Sequence, residues 1–133
     1  MQTEICEILK TSKTIAVVGI SSNPSRISRN IALYLLRNGY NVVGVNPNMN
    51  FNNADGIVVY NSLKEIPHKI DIVNVFRKSE DIPFIMDDVI EIMPKTLWLQ
   101  LGIRNDDAVE KVLNKGVNVI QDSCIKVEHS FCF

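Results

Sequence analysis

Several features that would place this 133-residue chain in a specialised class are missing from its sequence. No apolar run approaches the roughly 20 residues needed to cross a bilayer. The first residues, Met1–Glu7, contain no basic segment of the kind that opens a secretory signal. The 14 basic and 15 acidic residues leave a net charge of −1, which predicts no affinity for nucleic acid or for an anionic membrane.

Cysteine is scarce, and the chain is short. Cys6, Cys124 and Cys132 are odd in number and show neither CxxC nor Cys/His spacing. This pattern predicts no disulfide framework and no zinc site, and it indicates a reducing, cytoplasmic location. The length, with 46% hydrophobic and 22% charged residues, indicates a single globular domain over residues 1–133. We expect no separate catalytic domain beside a cofactor-binding one.

Short apolar runs alternate along the chain with segments of helical periodicity, a pattern typical of a parallel sheet covered on both faces. Thr14–Gly19 and Tyr40–Val45 are predicted strands, and the helix between them ends at Asn38 and Gly39. Further main strands are predicted at 70–76, 96–101 and 117–120, with a short extended segment at 57–60. The expected fold is α/β: a three-layer, Rossmann-like, doubly wound parallel sheet of about five strands in the order 3-2-1-4-5.

Turns and helix starts separate the predicted strands. Five of the eight residues from Asn46 to Asn53 are asparagine, a loop composition, and Asp55-Gly56 then forms a turn. Ser62–Glu65 has the pattern of a capping box that opens a short helical turn. Longer helices are predicted to begin after Ser79 and after Asn105.

The start of the first long helix differs in charge from the later ones. The helices after Ser79 and Asn105 begin with pairs of acids, which would repel a phosphate. The segment Asn23–Arg29 contains no acid, and Ser21, Ser22, Ser25 and Arg26 supply hydrogen-bond donors. We therefore predict an anion site at this turn, with an ordinary helix start and solvated arginines as the alternative.

The first turn does not match a dinucleotide fingerprint. A GxGxxG motif would require glycines at the positions of Ser21 and Pro24. The acid that binds the ribose of NAD at the end of strand two is replaced by Asn46 and Pro47. These departures argue against NAD, whereas a phosphorylated ribose would meet no acidic repulsion there.

Two later turns also offer binding residues. After strand three, Phe76 could flank a purine and Arg77 could bind a phosphate; the alternative places Phe76 in the core and Arg77 on the surface. The neutral turn Gln100-Leu101-Gly102 suits an uncharged, amide-bearing chain. Trp98 is expected in the core.

Catalytic candidates are few. Cys124 and His129 could form a nucleophile pair, but no third orienting group is evident. We favour the interpretation of Cys124 as a small buried apolar residue.

Six segments together resemble the small stand-alone CoA-binding domain family, the YccU-like proteins. They cover nearly the whole chain in unbroken order: Val17–Arg26, Val45–Asn48, Ser62–Pro67, Asp71–Arg77, Trp98–Asn105 and Asp122–His129. The family is similar to the N-terminal CoA-binding domain of the succinyl-CoA synthetase α subunit. There the catalytic histidine lies in a further domain that this chain lacks, so the resemblance implies CoA binding without ligase chemistry.

The resemblance also implies where coenzyme A binds. The first turn would hold its phosphates through Gly19, Ile20, Ser21, Ser22 and Arg26. The adenosine end would be bordered by Val45, Asn46, Pro47, Phe76 and Arg77, and the pantetheine by Gln100, Leu101 and Gly102. Two positions depart from the family, which more usually has a bulkier residue than Gly44 and a smaller one than Ile20. These departures leave the width of the pocket in question.

The leading hypothesis is a non-catalytic module that binds coenzyme A or an acyl-CoA. An NAD(P)-linked or acyl-transfer enzyme using Cys124 is one alternative. The other is the CoA-binding subunit of a split acyl-CoA ligase. We expect a small-molecule ligand and neither nucleic acid nor membrane as partner. A homodimer and a larger ligase-like partner both stay open, and the apolar tail Phe131–Phe133 could pack either on its own domain or on a second subunit.

Overall fold

A six-stranded parallel sheet forms the centre of the computed structural model, which describes residues 2–48 and 56–133. In chain order the strands are β1 (Thr14–Val18), β2 (Asn41–Val45), β3 (Val58–Tyr60), β4 (Ile72–Val75), β5 (Thr96–Leu99) and β6 (Asn118–Ile120). They lie in the order β3-β2-β1-β4-β5-β6, with every neighbouring pair parallel. Most of the predicted asparagine-rich loop, and the aspartate of the turn after it, lie outside the described residues.

The predicted α/β fold is confirmed, with one strand more than expected. The short extended segment at 57–60 contributes β3, which pairs with β2 in the register Val43↔Val58 to Val45↔Tyr60. Counting it as the third strand gives the expected order 3-2-1-4-5, continued by β6. Because β1 lies between β2 and β4, the order reverses beside β1, where such sheets bind ligands.

Five α-helices accompany these strands within the described residues: α1 (Gln2–Thr11), α2 (Ile27–Arg37), α3 (Met86–Ile92), α4 (Asp106–Leu113) and α5 (Ile125–Cys132). The helix predicted after Ser79 begins as a 3₁₀ segment, Ser79–Ile85, and becomes α-helical only at Met86. Pro83 lies within that segment and has no N–H to donate. No helix in the described part of the chain is both long and apolar enough to cross a membrane.

The helices cover both faces of the sheet and form two apolar cores. Side chains of α3 and α4, including Val89 and Val112, pack on one face. Side chains of α1, α2 and α5 pack on the other, where Trp98 is fully buried as expected. Successive side chains along each strand point to opposite faces of the sheet and so pack into two separate cores, as a three-layer fold requires.

A disulfide joins Cys6 of α1 to Cys132 of α5. The expectation of no disulfide is therefore wrong, and the inference of a reducing location loses that support. The two residues are 126 positions apart, but α1 and α5 pack together and bring them into contact. Cys124 keeps a free thiol.

Asp71 connects β1 and β4 at the amino ends of the strands. One carboxylate oxygen accepts the backbone N–H groups of Lys13 (2.8 Å) and Thr14 (3.1 Å), and the other lies 3.8 Å from Lys95 Nζ. Burial by itself would raise the pKa of Asp71. The two N–H donors and the charges of Lys95 and Lys69 outweigh it and hold the pKa below its ordinary value.

Candidate functional site

The turn after β1 depends on a glycine. Gly19 has φ +87°, a conformation that side-chain-bearing residues rarely adopt, and its N–H donates to Val45 O at 2.8 Å. A Cβ at this position would lie 2.7 Å from Phe76 O, well inside contact distance. Gly19 therefore allows the turns after β1 and β4 to approach each other closely.

Hydrogen bonds within the turn between Gly19 and α2 hold its shape. Ser21 donates its N–H to Ser28 Oγ (3.0 Å), and Asn23 donates its N–H to Ser21 Oγ (3.1 Å). Asn23 Oδ1 accepts from both the N–H and the hydroxyl of Ser25. The turn is thus organised by its own side chains before any ligand contacts it.

The N-terminus of α2 has no acid and no side-chain cap. Arg26 occupies the N-cap position without a capping hydrogen bond. At α4, by contrast, Asn105 caps the helix by accepting the N–H of Ala108, and two acids follow. Every other α-helix of the described chain has an acid in its first turn. The N–H groups of α2 therefore remain available to an anion.

The arginines at this helix start differ in their surroundings. Arg26 is exposed at the N-cap, where its guanidinium can reach a ligand. Arg29 is fully buried, so the alternative of an ordinary helix start with solvated arginines is wrong at that position.

A cavity of about 430 Å³ opens at the carboxyl ends of β1, β4 and β5. Among the residues that the structure describes, those lining the cavity include three cationic residues, Arg26, Arg77 and Lys78, and no acid. The remaining lining residues are Gly19, Ser21, Ile27, Ser28, Phe76, Gln100, Leu101, Ile103 and Cys124. A chain of net charge −1 thus presents a locally basic cavity suited to an anionic ligand with an apolar part.

A second, smaller cavity of about 220 Å³ adjoins the first through Arg77, which lines both. Val45 and Pro47 contribute to its wall. The guanidinium of Arg77 lies 3.9 Å from the Asp81 carboxylate, and both side chains are more than one-third exposed. An exposed pair at that distance is weak, so Arg77 can turn toward a ligand.

The structure brings most of the predicted binding residues to these two cavities. The main cavity is lined by Gly19, Ser21, Arg26, Phe76, Arg77, Gln100 and Leu101, and the smaller one by Val45 and Pro47. Four predicted residues line neither: Ile20, Ser22, Asn46 and Gly102. Asn46 instead donates its side-chain amide to Ile20 O at 2.8 Å, joining the turns after β1 and β2.

Phe76 and Gln100 both line the main cavity. Phe76 is partly buried against the core, as the alternative interpretation expects, and it also lines the cavity. Gln100 is 4% exposed, and its Oε1 accepts from Asn74 Nδ2 (3.4 Å) and from the N–H of Ile125 (3.3 Å). Its Nε2 has no hydrogen-bond partner within the described chain. A ligand or an ordered water in the cavity could supply the acceptor that this buried amide donor lacks.

Comparison with known proteins now assigns the family. The family model described as CoA binding domain matches residues 13–130. The chain belongs to the CoA binding domain family. The uncharacterized protein YneT of Bacillus subtilis is 43% identical over 127 residues, covering 96% of this chain and 93% of YneT.

Solved structures share the fold of this CoA binding domain. A Thermus thermophilus protein, cell-free ID.343, is 34% identical with a TM-score of 0.91, over 100% of this chain and 99% of that one. The dinucleotide-forming acetyl-coenzyme A synthetase 1 of Ca. Korarchaeum cryptofilum is 23% identical with a TM-score of 0.69. That match covers 83% of this chain and 26% of the synthetase, and it shows a shared fold.

The two residues expected to depart from the CoA binding domain pattern contact each other. A Cβ at Gly44 would lie 2.7 Å from Ile20 Cγ2 and 3.2 Å from Val59 Cγ2. The large residue at 20 therefore occupies the space left by the missing side chain at 44. Ile20 is fully buried and does not line the cavity, so the concern about pocket width does not hold.

Several lining residues of this CoA binding domain were not predicted as binding residues: Ile27, Ser28, Lys78, Ile103 and Cys124. Lys78 follows Arg77 directly, a signal available in the sequence. Cys124 packs partly on the core, as expected, but its half-buried side chain also lines the cavity.

The Cys124/His129 pair is not formed. His129 lines a different cavity, and its Nδ1 lies 2.7 Å from the Tyr34 hydroxyl. Burial lowers the pKa of His129. Within the described residues, no group of three His, Cys, Asp or Glu side chains could hold a metal ion.

Proposed function

We propose that residues 1–133 form one domain that binds coenzyme A or an acyl-CoA without catalysing its conversion. The observation that carries this proposal is the uncapped, acid-free start of α2, which opens into a cavity containing Arg26, Arg77 and Lys78. A ligand with several phosphates and a long, uncharged arm suits such a cavity. Membership of the CoA binding domain family supports the same ligand.

The proposed orientation follows the strand ends. The pyrophosphate binds at the turn Gly19–Arg26 and the first turn of α2. The adenosine end lies between Pro47 and the Phe76-Arg77 pair, near the small cavity that Arg77 shares. The pantetheine arm runs along Gln100 and Leu101, where Gln100 Nε2 can donate to an amide carbonyl.

The alternative function, an enzyme that uses Cys124, has less support. A thiol nucleophile needs a base within hydrogen-bond reach, and His129 is bound to Tyr34 at another cavity. The end of β2 also lacks the acid expected for an NAD ribose, since Asn46 there holds the neighbouring turn.

Calorimetric titration with coenzyme A tests the binding proposal. Arg26→Ala should weaken binding by about 1.5–3 kcal/mol, the range for a charge-assisted contact. Arg37→Ala is the matched control, because Arg37 is an exposed arginine in the last turn of the same helix. Arg77→Ala should reduce the preference for coenzyme A over dephospho-coenzyme A, since Arg77 borders the proposed adenosine end.

Three outcomes would count against this assignment. An absence of saturable binding would refute the function itself. Equal weakening by Arg26→Ala and Arg37→Ala would show that α2 acts only through general charge. Equal affinity of the unmodified protein for coenzyme A and dephospho-coenzyme A would remove the role given to the 3′-phosphate.

A further inference from the structure

A free thiol lies in the same cavity as the proposed phosphate site. Cys124 lines this cavity together with Arg26 and Gln100, and its thiol takes no part in the Cys6–Cys132 disulfide. Cys124 directly precedes α5, in the turn that follows β6. The neighbouring residues Ser123 and Ile125 donate their N–H groups to Leu99 O and Gln100 Oε1, so the thiol is at the β5 side of the cavity, whereas Arg26 is at the β1 side.

Gln100 provides a second, independent sign of a ligand beside this thiol. Its buried Nε2 has no partner within the described chain, although Gln100 lines the cavity. Its Oε1 accepts the N–H of Ile125, the residue next to Cys124, at 3.3 Å. An uncharged arm that accepts a hydrogen bond from Gln100 would therefore pass close to the thiol.

The order of these groups across the sheet matches the order of groups in coenzyme A. From β1 through β4 to β5 there are two strand spacings, together roughly 10 Å. Pantetheine is a chain of pantoyl, β-alanyl and cysteamine units, about three to four residue lengths, which spans roughly 10–14 Å when extended. With its pyrophosphate at α2 and an amide at Gln100, the arm would bring its sulfur to the Cys124 side.

We propose that Cys124 undergoes thiol–disulfide exchange with oxidised coenzyme A, a step that rests on the binding function proposed above. The Cys124 thiol loses its proton to solvent, and its sulfur attacks one sulfur of coenzyme A disulfide. That sulfur–sulfur bond breaks, and the departing coenzyme A leaves as a thiolate that takes up a proton. One disulfide is consumed and one is formed between Cys124 and the retained coenzyme A, so no other oxidant is needed.

Non-reducing mass spectrometry with peptide mapping tests this exchange on the intact chain. The protein is incubated with coenzyme A disulfide or with pantethine, which has the same arm and no nucleotide, and is then quenched with acid. We expect the adduct on Cys124, formed roughly tenfold or more faster with coenzyme A disulfide, because phosphate binding holds the reacting sulfurs together. Arg26→Ala should lower this ratio of rates, and Arg37→Ala should preserve it.

An adduct confined to Cys6 or Cys132, or equal rates with the two disulfides, would overturn the proposal. Titration with reduced coenzyme A in the presence of a reductant tests the binding function alone. Binding in that titration, combined with no adduct on Cys124 after incubation with coenzyme A disulfide, would refute the exchange and leave the binding function intact. Absence of binding would refute the underlying function.

Discussion

The contact between Gly44 and Ile20 allows a sharp test of how β1 and β2 pack. In the unmodified protein, Gly44→Ala places a methyl group 2.7 Å from Ile20 Cγ2. Overpacking of this kind costs about 1–3 kcal/mol, and the gain from replacing glycine within a strand offsets about 0.5–1 kcal/mol of it. The expected net loss in free energy of unfolding is about 1 kcal/mol, between limits of about 0 and 2.5 kcal/mol.

The effect of Gly44→Ala on the free energy of unfolding should reverse in sign once the Ile20 side chain is shortened. Ile20→Ala removes a fully buried side chain and should cost about 2–5 kcal/mol. In that background the added methyl at 44 no longer meets the Ile20 side chain, and Val59 Cγ2 at 3.2 Å is its remaining close neighbour. The methyl then fills part of the cavity and reduces the freedom of the unfolded chain. Gly44→Ala should then stabilise by about 0.5–1 kcal/mol, which corresponds to a coupling of about 2 kcal/mol.

Urea unfolding followed by fluorescence measures all four proteins, because Trp98 is the single tryptophan and is fully buried. Val112→Ala combined with Gly44→Ala is the control, since Val112 packs on the opposite face of the sheet and should give additive losses. If Gly44→Ala were equally destabilising with Ile20 and with Ala at position 20, the account of these two residues as a packed pair would be wrong.

Two further predictions concern stability. Reducing the Cys6–Cys132 disulfide should lower the free energy of unfolding by up to about 5 kcal/mol, the chain-entropy value for a 126-residue separation. Thermal unfolding with and without reductant measures this loss, and Cys6→Ser should show no further response to the reductant. Asp71 has a lowered pKa, so its contribution should be complete above its ordinary value of 3.8 and be lost as the pH falls through the folded-state pKa. The stability difference between the unmodified protein and Asp71→Asn should accordingly shrink at low pH, and a difference independent of pH would contradict this.

Much of the fold can be predicted from the sequence, because strands that are buried on both faces of the sheet appear as continuous apolar runs. β1, β4 and β5 are of this kind, and α2 shows regular helical periodicity. β3 is short and partly exposed at the edge of the sheet, so the sequence shows only a brief extended segment there. α1 and α5 were not predicted as helices; in α5 a histidine occupies one of the two buried positions and obscures the apolar stripe.

The candidate site is likewise only partly predictable from the sequence. The charge pattern at the start of α2 is local, so the basic, acid-free turn could be predicted from adjacent residues. The place of Cys124 in the cavity depends on how β6 and α5 meet the end of β5, which no local pattern records. The disulfide between residues 126 positions apart likewise results from the packing of α1 on α5.

That disulfide also changes how the protein would respond to mechanical force. A pull applied through residues 6 and 132 would load the covalent bridge and leave the parallel sheet between them unstretched. Cutting the bridge would release 126 residues, roughly 400 Å of extended chain. The disulfide between α1 and α5 thus closes the chain from residue 6 to residue 132 into a covalent ring.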